Sequence, residues 1–130
     1  MKGAALNGRA AMHNLGAMLE NGRGTSKNLL QAIFWYERAA ALGYPRALNA
    51  LGRLHLGGSG VAKNYARARS LFEQAAALGD AAAMNNLGVL YLNGRGVQRD
   101  IQVARTWFES AIALGNAEAR ENLNSCMRRG

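Results

Sequence analysis

The chain is 130 residues long, 49% hydrophobic but only 7% aromatic, with a formal charge of +8 and an isoelectric point near 10.6. That length suits one domain with a thin, continuous core, and an apolar fraction made largely of alanine and leucine points to closely packed helices. A single cysteine, Cys126, excludes an internal disulfide framework; the sixteen Lys and Arg never form a block of five, which excludes a polybasic tail. No apolar run reaches the length of about 18 residues needed to span a membrane, so no membrane partner is expected. The opening MKGAALNGRAAM lacks the sustained apolar run of a secretory signal. The chain as given reads as soluble and cytoplasmic, and as periplasmic or secreted if a signal was removed ahead of residue 1.

Residues 1–9 are not a natural beginning, because Ala5-Leu6 fall in phase with Ala41-Leu42, as in the worn end of a preceding unit or a cap. From residue 10, Ala11, Leu15, Met18 and Leu19 have helical spacing, with Gly16 where a neighbouring helix must come close. They predict a helix A over 10–20. Asn21-Gly22-Arg23-Gly24 ends it with a left-handed cap and a tight turn. Asn28 then caps a helix B, whose stripe of Leu29, Ala32, Trp35, Tyr36 and Ala39 has amphipathic spacing. Helix B runs to about Leu42, where Gly43 stops it.

The pair returns without a gap. Residues 10–45, 46–81 and 82–117 align at a period of 36, with eleven positions identical in all three, among them Leu15/Leu51/Leu87, Gly16/Gly52/Gly88 and Leu42/Leu78/Leu114. Asn64 and Asp100 repeat the cap. The stripes Tyr65, Ala68, Leu71, Phe72, Ala75 and Ile101, Ala104, Trp107, Phe108, Ala111 match large with large and alanine with alanine, as interlocking neighbours require. A fourth helix A opens at Asn116, with Leu123 in the place of Leu87. There Asn124 replaces the glycine and Arg128-Arg129 replace apolar or turn positions, so 117–129 reads as a capping helix. A fixed period of this length marks a stacked array in which each unit covers its neighbour's apolar face. The predicted class is an all-α solenoid of helix-turn-helix units, three and a half of them, in one domain over 1–130.

The third unit carries Ala83, Leu87-Gly88, Leu90-Tyr91, Gly94, Gly96-Val97, Asp100, Ala104, Trp107-Phe108, Ala111 and Gly115. In these residues it resembles the Sel-one-like repeat of the tetratricopeptide superfamily, and the likeness extends over about residues 10–124. Thr25, His55 and Leu71 depart from the pattern at its valine, tyrosine and tryptophan positions, all of which serve packing. Some members of that family carry paired cysteines in every repeat, and this chain does not. The resemblance implies a right-handed superhelix acting as an adaptor for other proteins or peptides, with no chemistry and no cofactor.

The reactive side chains agree with that reading. His55 falls at a core-facing position and reads as packing; His13 lies on the other side of helix A and reads as a surface histidine. Neither has a histidine or carboxylate one turn on to make a metal pair. Cys126 takes the place of Leu90 and reads as a half-buried, inert thiol. Glu37, Glu73 and Glu109 recur one unit apart, and helices spaced about 8–10 Å apart do not bring such carboxylates onto one substrate. Gly22-Arg23-Gly24 and Gly94-Arg95-Gly96 lack the Lys-Ser/Thr that completes a phosphate loop. No enzyme and no metal site is expected.

The resemblance also implies that the A helices line an inner groove. In that register His13 and Asn14, Asn49 and Ala50, Asn85 and Asn86, then Glu121 and Asn122 point into it. Ala17 and Glu20, Arg53 and Leu56, and Val89 and Leu92 follow on the same face. Asparagine amides suit peptide backbone and equally suit bonds to neighbouring helices; the residues alone leave both open. Arg53, at the centre, suits a bidentate pair with a partner carboxylate. The candidate binding residues are therefore His13, Asn14, Asn49, Arg53, Asn85, Asn86 and Asn122, and the expected partner is a protein or peptide with an acidic segment. The alternative is nucleic acid, motivated by the +8 charge and opposed by a groove without aromatics for base stacking. The sequence sets no oligomeric state.

Overall fold

The structure, a computed structural model, describes residues 2–22, 28–58 and 60–129, with residues 2–7 and 129 as helical backbone only. Among the described residues there are seven α-helices and no strand: α1 (Lys2–Asn21), α2 (Leu29–Ala41), α3 (Pro45–Gly57), α4 (Tyr65–Ala77), α5 (Ala81–Asn93), α6 (Ile101–Ala113) and α7 (Ala117–Arg129). Helices α1, α3, α5 and α7 are of type A, and α2, α4 and α6 of type B. Each packs against its neighbour in the chain, most closely within the hairpins α1–α2, α3–α4 and α5–α6. A helices of adjoining units touch one another far less.

The hairpins hold together because a glycine in helix A meets a ring in helix B. A Cβ on Gly16 would lie 2.8 Å from the Tyr36 ring, and one on Gly52 would lie 2.5 Å from Phe72. Gly88 stands against Phe108 in the same way. Tyr36, Phe72 and Phe108 are thereby fully buried, and Ala32, Ala68 and Ala104 beside them are closed off completely. The result is a narrow apolar seam that continues from unit to unit, with Trp35 and Trp107 packed on its margin.

Local chemistry sets the helix ends. Asn28, Asn64 and Asp100 adopt extended backbone and accept from the amides of Gln31, Arg67 and Val103 at 3.0, 2.9 and 3.1 Å, as the sequence predicts for N-caps. Asp80 and Asn116 do the same for α5 and α7, whereas Tyr44 gives α3 no side-chain cap and Pro45 takes its first position. Helices α3 and α5 end at Gly58 and Gly94 with φ of 69° and 68°, and the B helices are followed by Gly43, Gly79 and Gly115 with φ of 78°, 89° and 91°. The turn residues Arg23 and Gly24, and Thr25 after them, lie outside the described residues.

The amino-terminal segment differs from expectation. Helix A, expected over 10–20, begins earlier: α1 runs unbroken from Lys2 to Asn21. The register explains it. Where the later junctions place Gly43, Gly79 and Gly115, this segment has Asn7, so the glycine that stops each B helix is missing.

Candidate partner-binding groove

The A helices carry a line of polar side chains, and the structure shows what those side chains do. Asn86 Nδ2 donates to Asn49 Oδ1 at 2.8 Å, and Asn122 Nδ2 donates to Asn85 Oδ1 at 2.8 Å. Each bond joins an A helix to the next one, α5 to α3 and α7 to α5. Of the two uses open to these amides, bonding between helices is therefore realised. Asn85 is only 3% exposed and is a structural amide rather than a groove donor. Asn49, Asn86 and Asn122 are half-buried, and Asn14 is exposed. Leu92, also expected to face the groove, is buried against α6 and α7.

The ladder has no rung between α1 and α3. In register His13 replaces the acceptor asparagine and Ala50 the donor, so the pair cannot form. His13 is not the ordinary surface histidine that its position suggests. It is half-buried, its ring lies 5.3 Å from both Tyr36 and Tyr44, and its Nδ1 is enclosed without a hydrogen-bond partner. Burial lowers its pKa from the usual 6.5, and the guanidinium groups of Arg46 and Arg53 lower it further against the opposing pull of Glu20 and Asp80.

A different polar contact bridges that junction. Arg53 Nη1 lies 3.3 Å from Glu20 Oε2 and Nη2 lies 3.4 Å from Oε1, a two-pronged pair from α3 to α1. Glu20 Oε1 also accepts the Tyr36 hydroxyl at 2.6 Å. Burial, and then this bond, hold the Tyr36 phenol well above its ordinary pKa. Arg53 thus meets a carboxylate, as expected of it, but the carboxylate belongs to the same chain. Its side chain nonetheless remains 46% exposed.

Beside it lies an open hollow of about 210 Å³ that touches three A helices, with His13 of α1, Arg46, Asn49 and Arg53 of α3, and Ala82 of α5 at its wall, and Asp80 at the cap of α5. It brings together His13, Asn49 and Arg53 from the expected set; Asn14, Asn86 and Asn122 lie outside it. Arg46 and Asp80 were not anticipated. Their signal was available: Arg46 lies in the first turn of α3, one turn ahead of Asn49, and Asp80 is the residue that caps α5.

The remaining reactive groups are scattered. Cys126 is fully enclosed rather than half-buried, because α7 turns it onto α6, where Sγ lies 3.6 Å from the Ile101 carbonyl. His55 is half-buried, with Nδ1 enclosed and without a hydrogen-bond partner. Glu37, Glu73 and Glu109 are exposed on separate B helices, and Glu109 lies 3.5 Å from Arg105 on its own helix. Among the described residues no three His, Cys, Asp or Glu side chains are grouped to hold a metal ion.

The family model described as Sel1 repeat matches residues 9–44, 45–80 and 81–116. No curated protein matches the chain. Among solved structures, a Sel1 repeat protein from Oxalobacter formigenes shares 37% identity over 95% of this chain and 94% of its own, with a TM-score of 0.79. A protective antigen of uropathogenic Escherichia coli with an SLR fold shares 34% identity over 94% of this chain, with a TM-score of 0.86; the match spans 26% of that longer protein. Cysteine-rich protein B of Helicobacter pylori, at 24% identity and a TM-score of 0.73 over 92% of each chain, shares the fold. With three successive units matched from residue 9 to residue 116, and the glycine–ring lock repeated in each, the chain belongs to the Sel1 repeat family.

Proposed function

We propose that the chain is an interaction scaffold that holds an acidic segment of a partner protein against its A helices, anchored in the hollow beside Arg46 and Arg53. Sel1 repeat proteins are in general protein-interaction scaffolds built on a non-enzymatic fold. No helix among the described residues is long and apolar enough to cross a membrane. The observation that carries the finer reading is the pairing of two guanidinium groups with the Asn49 amide in one open hollow. Arg46 is exposed and has no ion-pair partner among the described residues, so its planar fork is available to a carboxylate. Glu20, gripped by Arg53 a few ångströms away, is an in-chain example of the group such a site takes. No observation favours the nucleic-acid alternative.

Affinity capture identifies the partner, and titration calorimetry then measures it. Arg46→Glu should weaken binding tenfold or more, a loss of about 1.4 kcal/mol or above, by replacing attraction with repulsion in the hollow. Arg67→Glu, exposed on α4 and outside the hollow, should alter chiefly the salt dependence and the on-rate. Equal losses from the two would replace the groove with diffuse electrostatic attraction.

A further inference from the structure

One departure from the repeat leaves a space in the middle of the array. Trp35, Leu71 and Trp107 occupy the same position in the three B helices, and the second lacks an indole. On α6, Trp107 packs against the core cluster that holds Ala76 of α4 and Leu87 of α5, which are 6% and 0% exposed. One unit earlier, Leu71 stands among the counterparts of those residues, Ala40 of α2 and Leu51 of α3, and a hollow of about 290 Å³ remains between the three helices. Ala40 is left half-buried where Ala76 is closed. Val103, beside Trp107, is likewise replaced by Arg67, which is exposed.

The chemistry of the hollow suits the missing group. Its floor is hydrocarbon, from Leu48, Leu51 and Leu71, none more than 6% exposed. Its rim is polar, with Glu37 on α2 and Arg67 and Gln74 on α4. Sites for drug-sized molecules run to roughly 300–1,000 Å³, so this one has room for a single large side chain. An indole brings a broad apolar body to cover the leucines and one N–H that needs an acceptor once buried. The Glu37 carboxylate is exposed, in no ion pair among the described residues, and at the rim to accept it.

We propose that the hollow between α2, α3 and α4 is a docking site for a tryptophan side chain on a partner protein. The occupant follows from the repeat: at the next junction the chain's own Trp107 covers the same surface. A second copy of the chain cannot supply it, since Trp35 and Trp107 are its two tryptophans and both are packed on its own core. Tryptophan is among the residues that anchor interfaces by filling such pockets. The hollow shares no residue with the one beside Arg46, so each stands or falls without the other.

Titration of N-acetyl-tryptophanamide into the isotope-labelled full chain, followed by the backbone amide resonances, tests the proposal. Saturable shifts are expected at Ala40, Leu51 and Gln74, with a dissociation constant on the order of a millimolar, and none from N-acetyl-alaninamide. Leu71→Trp returns the chain's own indole to the space, and Ala40→Leu fills it from α2. Each should weaken the probe tenfold or more with the circular dichroism spectrum unchanged. Absence of saturable shifts, shifts centred elsewhere, or undiminished binding in whichever of the two variants keeps the native spectrum would overturn it.

Discussion

Tyr36, Glu20 and Arg53 stand where the other units are apolar: Tyr36 aligns with Phe72 and Phe108, Glu20 with Leu56 and Leu92, and Arg53 with Ala17 and Val89. The three departures depend on one another, because the Tyr36 hydroxyl on a residue 1% exposed needs the carboxylate, and the carboxylate is balanced by the guanidinium. Glu20→Leu alone should cost about 1–3 kcal/mol by stranding that hydroxyl. Adding Tyr36→Phe should recover most of the loss, and a double-mutant cycle in urea should return a clear coupling; additive losses would mean that the hydroxyl finds another partner. His13 gives a second residue-scale test. Its pKa is lowered in the fold, so the unfolded chain binds the extra proton first as pH falls. The contribution is intact above the unfolded value of 6.5 and is lost as pH drops through that value toward the lower folded one. The urea midpoint should therefore decline from pH 7 to pH 5, and His13→Gln should flatten that decline.

At the scale of the helix, caps and glycines were readable because they act locally. Asn28, Asn64 and Asp100 announce helix starts whatever surrounds them, and the rings opposite Gly16, Gly52 and Gly88 follow from the common period. Gly52→Ala should destabilise by about 1–3 kcal/mol, since the new methyl meets the Phe72 ring at 2.5 Å and that ring is wholly enclosed. Gly8→Ala, with open space around its Cβ position, should not destabilise, and helix propensity favours it. Thermal melts of the two variants separate crowding from backbone freedom. The start of α1 was misread for a complementary reason. A missing stop signal leaves no residue to notice, and only comparison with Gly43, Gly79 and Gly115 reveals what Asn7 replaces.

For the whole molecule, the fold was legible because repetition displays each packing rule three times. The groove was less so, because the side chains that point along it were assigned by register alone. Register locates Asn49, Asn85 and Asn86 correctly on the A helices, yet it cannot say that Asn85 is closed off or that Arg53 already holds Glu20; those depend on which side chains two units bring together. The same contacts have a mechanical consequence. Adjoining A helices share little hydrocarbon, and each junction is tied across the groove by a polar link: ionic between α1 and α3, amide to amide between α3 and α5 and between α5 and α7. The B side is joined through the packed seam and the groove side by these ties, so the seam works as a spine and the ties as its springs. Two springs are neutral and indifferent to salt. The first is an ion pair whose arginine is 46% and whose carboxylate is 17% exposed, so dissolved ions screen it in part, and the α1–α3 junction, next to the hollow where Arg46 stands, is the one of the three that loosens as ionic strength rises.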